Sequence, residues 1–119
     1  MSFIEAIFYE KTDGTEPAKV FLLSLDIKMR AKMMRTITLL EDNGTRLREP
    51  HSKALGDGLF ELRAKIGSNI SRIIYFYVHG KKAILTNGFV KKSNETPPSE
   101  TDLARSYRTD YLARSKNND

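Results

Sequence analysis

The side chains best suited to binding or transforming an anion are concentrated between Leu59 and Lys92. This stretch carries seven lysines and arginines against a single acid, Glu61. Arg63 and Arg72 lie in apolar, β-branched runs that are typical of strands. Cations placed along strands suit a polyanion lying across a sheet. The pattern, together with a net charge of +5, favours an anionic partner, either a nucleic acid or an acidic protein.

The composition argues against several other classes of protein. A chain of 119 residues, 39% apolar and 29% charged, suits one compact domain spanning residues 1–119. It has no cysteine, which excludes disulfides and thiolate metal sites and is compatible with the cytoplasm. The apolar runs are too short for a membrane span, and the N-terminus lacks the pattern of a secretory signal. Neither a metal-ligand spacing nor a glycine-rich phosphate loop occurs, so no cofactor is expected.

The predicted elements follow the order β-α-α-β-β-β-α, an α+β fold with a small, mainly antiparallel sheet. Phe3–Tyr9 reads as the first strand, and Leu59–Lys92 reads as a three-stranded meander with turns rich in glycine and asparagine. The polar segment Thr45–Gly58 contains Pro50 and two glycines, which predicts a connecting loop. Leu47 and Leu55 are its expected anchors in the core, and it also carries His51 and Lys53.

Three helices complete the prediction. The first begins at Thr15-Glu16-Pro17, and Asp26 is expected to cap a second from Ile27 to about Glu41, ended by Asn43-Gly44. The two should form a helical hairpin packed on the sheet. Ser99 is expected to cap the last helix. The predicted buried faces comprise Val20, Phe21 and Leu25 in the first helix, Met33, Met34, Ile37 and Leu40 in the second, and Leu103, Ala104, Tyr107, Tyr111 and Leu112 in the last.

Alternation along the strands assigns side chains to faces of the sheet. Leu62 and Ala64 should face the helices, so Glu61, Arg63 and Lys65 should share the other, open side. The next strand is apolar on both parities, which indicates a central strand. Arg72 is assigned to the side of Arg63, because a lone guanidinium against the helices would be costly.

The sequence from Gly58 to the last helix resembles the phage Gp49-like/HigB branch of the RelE/ParE toxin superfamily. The matching pieces are L-x-E-L-R, the strand R-I-x-Y-F-Y, G-F-V-K-K-S, and a closing A-x-x-x-R-x-D-Y helix from Ala104 to Tyr111. The resemblance implies a RelE-like, microbial-RNase-like fold. It also implies the toxin of a type II toxin–antitoxin system, acting as a metal-independent endoribonuclease that cuts mRNA on the ribosome.

The chemistry implied by the resemblance is attack of a ribose 2′-OH on its own 3′-phosphate. By position, the cations that stabilise the phosphate fall on Arg63, Arg72 and Lys92, while Glu61 stands where the family has a lysine. Glu61 is a candidate general base if it faces the same groove; the alternative is a surface carboxylate paired with Arg63 or Lys65. His51 has the chemistry of an acid or base, although a loop histidine is often merely solvated.

Further expectations concern partners. Lys53, Lys65, Lys91 and Tyr77 are candidates for RNA contact. The resemblance implies a HigA-like antitoxin with a helix-turn-helix domain, for which Lys28, Arg30, Lys32 and Arg35 on the hairpin offer a surface. Two other functions stay open: a ParE-like inhibitor of DNA gyrase, and a non-catalytic module that binds RNA or the ribosome.

Overall fold

The computed structural model describes residues 4–79 and 81–117. In chain order these form β1 (Glu5–Phe8), α1 (Pro17–Ser24), α2 (Ile27–Asn43), a 3-10 turn (Gly44–Arg46), β2 (Ser52–Gly56), β3 (Leu59–Ile66), β4 (Asn69–Val78), β5 (Lys82–Lys91) and α3 (Pro98–Asn117). The predicted α+β class is confirmed. Among the described residues, no helix is long and apolar enough to cross a membrane.

The five strands form one sheet in the order β1-β5-β4-β3-β2. The meander β3-β4-β5 is antiparallel as predicted, β2 adds to β3 in antiparallel fashion, and β1 pairs with β5 in parallel. The prediction of a loop over all of Thr45–Gly58 is wrong, because Ser52–Gly56 forms β2. An edge strand has one neighbour and is partly exposed, so it does not need the apolar run by which a central strand is recognised.

The two faces of the sheet carry different helices. Leu62 and Ala64 of β3 and Ile73 of β4 pack with α1 and α2 in one buried cluster. Ile74 and Phe76 of β4 pack with α3 in a second cluster on the opposite face. The predicted hairpin packing and the central position of β4 are therefore confirmed. Leu47 and Leu55 anchor the β2 region, one in each cluster, as expected.

Local contacts explain where the helices begin and how closely they approach the sheet. The side chain of Asp26 accepts a hydrogen bond from the backbone N–H of Met29 at 3.0 Å, which confirms the predicted cap of α2. Gly44, with φ of 57°, ends that helix. Phe21 of α1 packs directly over Gly88 of β5 and leaves no room there for a β-carbon.

Several boundary and burial predictions are wrong. The first strand starts at Glu5 among the described residues, and Phe3 lies outside them. Val20 and Met34 are more than half exposed, because the buried stripes run through other helical positions such as Ala18 and Met33. The last helix starts at Pro98, so Ser99 lies inside its first turn. Leu103 and Leu112 are also exposed, because the stripe that faces the sheet is Ala104, Tyr107 and Tyr111.

Candidate active site

Arg63 of β3 and Arg72 of β4 are directly opposed in the sheet, on the face that carries α3. Glu61 lies on the same face, with Oε2 2.9 Å from Arg63 Nε and Oε1 4.0 Å from Arg72 Nη1. The carboxylate therefore separates two cations that would otherwise repel each other across the strand pair. The prediction that these three side chains share one face is confirmed.

The segment Ser93–Thr96, called the strap below, connects β5 to α3 and is bonded to this charged group. Arg72 holds its backbone at two points. Nη2 of Arg72 donates to the carbonyl of Ser93, and Nη1 donates to the carbonyl of Glu95 at 3.0 Å. Hydrogen bonds from a charged donor are stronger than those between neutral groups. Arg72 thus fixes both ends of a three-residue stretch of backbone.

The other two strap residues are bonded to Arg63 and Glu61. Nη2 of Arg63 donates to the carbonyl of Asn94 at 2.7 Å, and the hydroxyl of Thr96 donates to Oε1 of Glu61 at 2.7 Å. Four consecutive strap residues therefore contact three charged side chains of the sheet. Both carboxylate oxygens of Glu61 therefore accept a hydrogen bond, Oε2 from Arg63 and Oε1 from Thr96.

The open sheet face expected around Glu61 and Arg72 is not observed. Both side chains are 0% exposed. Burial lowers the pKa of the Arg72 guanidinium, while the charge of Glu61 acts in the opposite direction. The alternative reading of Glu61, a surface carboxylate paired with Arg63 or Lys65, is therefore right about the pairing with Arg63 but wrong about the exposed position. Arg72 and Glu61 cannot touch RNA in this conformation, because the strap covers them.

A cavity of about 590 Å³ opens beside the strap. We call it the groove, and the described residues that line it are Lys32, Glu49, Pro50, His51, Arg63, Lys65, Gly67, Ile70 and Asn94. It brings together His51, Arg63 and Lys65 from the predicted site. Three cations surround one imidazole and one carboxylate, which is a suitable set for holding a phosphodiester and moving its protons.

The backbone that carries Glu49 and His51 is tied to the sheet. The N–H groups of His51 and Ser52 both donate to the carbonyl of Arg48, at 3.0 and 3.1 Å, and close a turn. The carbonyl of His51 then accepts from the N–H of Arg63 at 2.9 Å, which extends the pairing of β2 with β3. His51 and Arg63 are therefore held at neighbouring positions of two paired strands.

Comparison with known proteins assigns the family. The family model described as phage-derived protein Gp49-like (DUF891) matches residues 20–109, which include every residue that lines the groove. The chain belongs to this Gp49-like family. It is a family of toxin–antitoxin toxins of the RelE/HigB kind, so the resemblance found in the sequence is confirmed. No curated protein matches the chain.

Lys92, predicted to stabilise the phosphate together with Arg63, does not line the groove of the Gp49-like chain, and neither do the remaining predicted RNA contacts. Lys91 and Lys92 are exposed where β5 meets the strap. Lys53 lines a separate depression between β2 and the start of α3. Tyr77 is half-buried on the opposite face of the sheet, where it packs with Phe60 and its hydroxyl donates to the carbonyl of Gly44. The position of Tyr77 therefore does not support a contact with RNA at the groove.

Among the polar groove residues, sequence reasoning missed Glu49 and Asn94 and misplaced Lys32. Glu49 sits in a segment expected to be a plain loop, and Asn94 sits in one expected to be a plain linker. Lys32 was assigned to the antitoxin surface, yet it lines the groove and its Nζ donates to the backbone carbonyl of Lys65. Pro50 indicated a turn in this segment, but that signal does not say which neighbouring side chains line a cavity.

The hairpin surface of the Gp49-like chain also differs from the expected one. Lys28 and Arg35 are exposed, but Arg30 donates through Nη2 to the carbonyls of Leu23 and Leu25, both at 3.1 Å. Arg30 therefore stabilises the junction between α1 and α2. Large apolar side chains are exposed on the same two helices, namely Val20, Leu23, Ile27 and Met34.

Proposed function

We propose that this chain is the toxin of a type II toxin–antitoxin pair and acts in the cytoplasm as a ribosome-dependent mRNA endoribonuclease. In this proposal residues 1–119 are a single toxin domain with RelE-like topology. Family membership supports the toxin role. The observation that carries the enzymatic role is the groove, in which Lys32, Arg63 and Lys65 surround Glu49 and His51.

The cations of the groove suit the phosphate of the reaction. When the 2′-oxygen attacks the 3′-phosphate, negative charge accumulates on the oxygens of a five-coordinate phosphorus. Fixed cations stabilise that charge more in the transition state than in the ground state. Arg63 is the best placed of the three because two hydrogen bonds already fix its guanidinium. Lys91 and Lys92, exposed beside the strap, extend the positive surface along the RNA.

In this proposal Glu49 and His51 are the general acid and base. Lysine and arginine hold their protons too firmly for this work, whereas carboxyl and imidazole groups are the usual bases and acids. One of the pair takes the proton of the 2′-OH as the bond from the 2′-oxygen to phosphorus forms. The other gives a proton to the 5′-oxygen as the bond from phosphorus to that oxygen breaks. The products are a 2′,3′-cyclic phosphate and a 5′-hydroxyl.

The open shape of the site supports the proposed dependence on the ribosome. The groove is open to solvent and its proton-transferring side chains are exposed, so nothing in it holds the 2′-OH in line with the leaving oxygen. A second body that aligns the RNA contributes several kcal/mol in such reactions. The purified protein should therefore leave free RNA largely uncut and cleave a message that is being translated.

The experiment is to induce the protein alone and map 5′ ends on one transcript, with and without a start codon. New 5′ ends should appear only in the translated form. His51→Asn should lower cleavage by about 10²-fold, whereas His79→Asn, a matched change at the exposed turn between β4 and β5, should not. Growth arrest with intact message would contradict the proposal. A DNA-damage response would then favour gyrase inhibition, whereas the absence of such a response would favour a non-catalytic module.

A HigA-like antitoxin is the partner we propose for the hairpin of α1 and α2. Its exposed apolar side chains lie beside the exposed cations Lys28 and Arg35. An amphipathic, acidic segment of a partner fits such a surface. The alternative site is the groove, which the antitoxin would fill with acidic side chains.

Charge reversals distinguish the two sites. Lys28→Glu should weaken binding of the antitoxin if it covers the hairpin, while Arg63→Glu should leave binding intact; Arg35 is kept unchanged because it lines a cavity together with His51 and Arg63. Arg30 is not used, since its loss would disturb the junction of the helices. The opposite result would place the antitoxin in the groove. The on-rate of the antitoxin should also fall as salt rises, which binding kinetics at two salt concentrations would measure.

A further inference from the structure

Glu61 and Arg72 do not line the groove, so they cannot contact a ligand bound there. Both are 0% exposed, and Nε of Arg72 has no hydrogen-bond partner within residues 4–79 and 81–117. Burying an ion pair costs free energy that apolar side chains of similar size would not. Covering the sheet therefore does not require these charges. What they provide, and apolar side chains would not, is a set of hydrogen bonds to the strap.

The strap and Glu61 together fix the catalytic cation. Nε of Arg63 donates to Glu61 at 2.9 Å and its Nη2 donates to the carbonyl of Asn94 at 2.7 Å. No hydrogen bond from Nη1 occurs among the described residues, so that group is available to a ligand in the groove. A free arginine side chain samples many rotamers, and ordering it opposes binding. Here the ordering is completed before RNA arrives.

Arg72 acts on Arg63 indirectly, through the strap. It does not contact Arg63 through a hydrogen bond, but it holds the carbonyls of Ser93 and Glu95, which flank Asn94. Thr96 holds the other oxygen of Glu61. The position of the Asn94 carbonyl, and with it the plane of the Arg63 guanidinium, depends on these outer bonds.

We infer that Glu61 and Arg72 are positioning residues, which act through the strap to hold the guanidinium of Arg63 ready for the phosphate in the groove. This inference rests on the proposed function for its catalytic consequence, although the ordering of Arg63 can be measured without it. It replaces the direct contact with RNA expected for both side chains from the sequence.

The test uses a matched pair at Thr96. Thr96→Val keeps the shape and removes the hydroxyl that donates to Glu61, whereas Thr96→Ser keeps the hydroxyl. With translating ribosomes, Thr96→Val should lower kcat about tenfold or more with KM changed by less than twofold, and Thr96→Ser should restore the rate. Glu61→Gln, which can accept only one of the two hydrogen bonds, should lower kcat in the same way. A purely structural role would instead lower the folded fraction and leave kcat per folded molecule unchanged.

A second measurement decides the inference independently of activity. The ¹⁵N relaxation of the arginine Nε–H groups should show Arg63 as rigid as the backbone in the wild type and in Thr96→Ser, and clearly more mobile in Thr96→Val. Arg63→Lys assigns the signal. Equal rigidity in both Thr96 variants would overturn the inference. If the wild type cuts no translated message, the proposed function fails, and the relaxation result alone still supports or overturns the positioning role.

Discussion

The groove and the charged group under the strap are neighbours on one face of the sheet and contain the same kinds of side chain. In the groove, Lys65 and His51 are exposed. Under the strap, Glu61 and Arg72 are fully buried, and their hydrogen bonds are directed to protein atoms. Arg63 belongs to both regions, since Glu61 holds its Nε while it lines the cavity.

The comparison shows that residue type and strand parity do not separate an arginine that lines the groove from one that is buried under the strap. Arg63 and Arg72 are directly opposed on paired strands. They differ because the strap passes over one of them and beside the other. The strap does this with backbone carbonyls, which every residue possesses and which leave no signature in a sequence.

The largest difference between the two regions should appear in stability. Arg72→Ala removes one of the two cations beside the buried Glu61 carboxylate and both of its own bonds to the strap, so it should lower the free energy of unfolding by about 3 kcal/mol or more. Arg63→Ala also takes a hydrogen-bonded partner from Glu61, but its side chain is 13% exposed beside the groove and water can replace it, so the loss should be smaller, about 1–2 kcal/mol. Urea denaturation of the two variants measures the difference. Equal losses would contradict the distinction between the regions.

A double replacement sharpens this result. Glu61→Leu with Arg72→Met exchanges the buried charges for apolar side chains, which is often neutral for stability or favourable. It should recover most of the stability lost in Arg72→Ala. Cleavage should remain low, because the strap is no longer held. Recovery of both properties would mean that the buried charges do not position Arg63.

In activity, the groove should prove the more sensitive region. Arg63→Ala removes a fixed donor to developing charge and should lower cleavage of translated message by about 10²–10³-fold. Arg46→Ala, an exposed arginine that does not line the groove, is the control. Comparable losses in both variants would indicate a general effect of positive charge and not a specific site.

Salt dependence gives a smaller effect. Lys65→Ala should weaken binding of a single strand that lacks the 2′-OH at the scissile position, and lower the slope of log affinity against log salt by about 0.7 if it neutralises one phosphate. Lys82→Ala, at the opposite end of the sheet, should leave the slope unchanged. Fluorescence anisotropy over a range of salt concentrations measures both. An unchanged slope in Lys65→Ala would remove that lysine from the RNA path.

The smallest effect is expected in the cluster of Tyr9, Asp110 and Arg114. Its charged side chains, Asp110 and Arg114, are more exposed than Glu61 and Arg72 under the strap. Burial and the hydrogen bond to Asp110 raise the pKa of Tyr9 from 10.0 to about 12. The folded state therefore favours the protonated phenol. This contribution to stability is complete below pH 10 and is lost as the pH rises towards 12. Unfolding at pH 9 and pH 11.5 should show a decline that is smaller in Tyr9→Phe; an identical decline in both proteins would contradict the assignment.

Much of the fold could be predicted from the sequence, because regular patterns produce it. The meander follows from three apolar runs with turn residues between them, and the cap at Asp26 follows from one side chain at a helix start. The strand Ser52–Gly56 could not be found in this way. It lies at an edge and is stabilised by backbone pairing with β3, so its side chains need not be apolar.

For the candidate site, the sequence yields His51, Arg63 and Lys65 but not Glu49, and it does not yield their arrangement. Parity places Glu61, Arg63 and Arg72 on one face because alternation is a local property of strands. Whether that face is open depends on a segment that returns 21 or more residues later in the chain to meet Arg72. Lys32 likewise reaches the groove from a helix 33 residues before Lys65. A local sequence pattern cannot reveal contacts between residues so far apart along the chain.

The place of the strap late in the chain affects the cell that makes this protein. β1 is synthesised first but pairs with β5, and the strap follows β5 directly. Until Asn94 has been synthesised and has left the ribosome, Arg63 cannot meet it, so the nascent protein has no assembled groove. The hairpin of residues 17–43 emerges much earlier. An antitoxin that recognises the hairpin would therefore have the time taken to synthesise residues 44–94 in which to bind before the groove assembles.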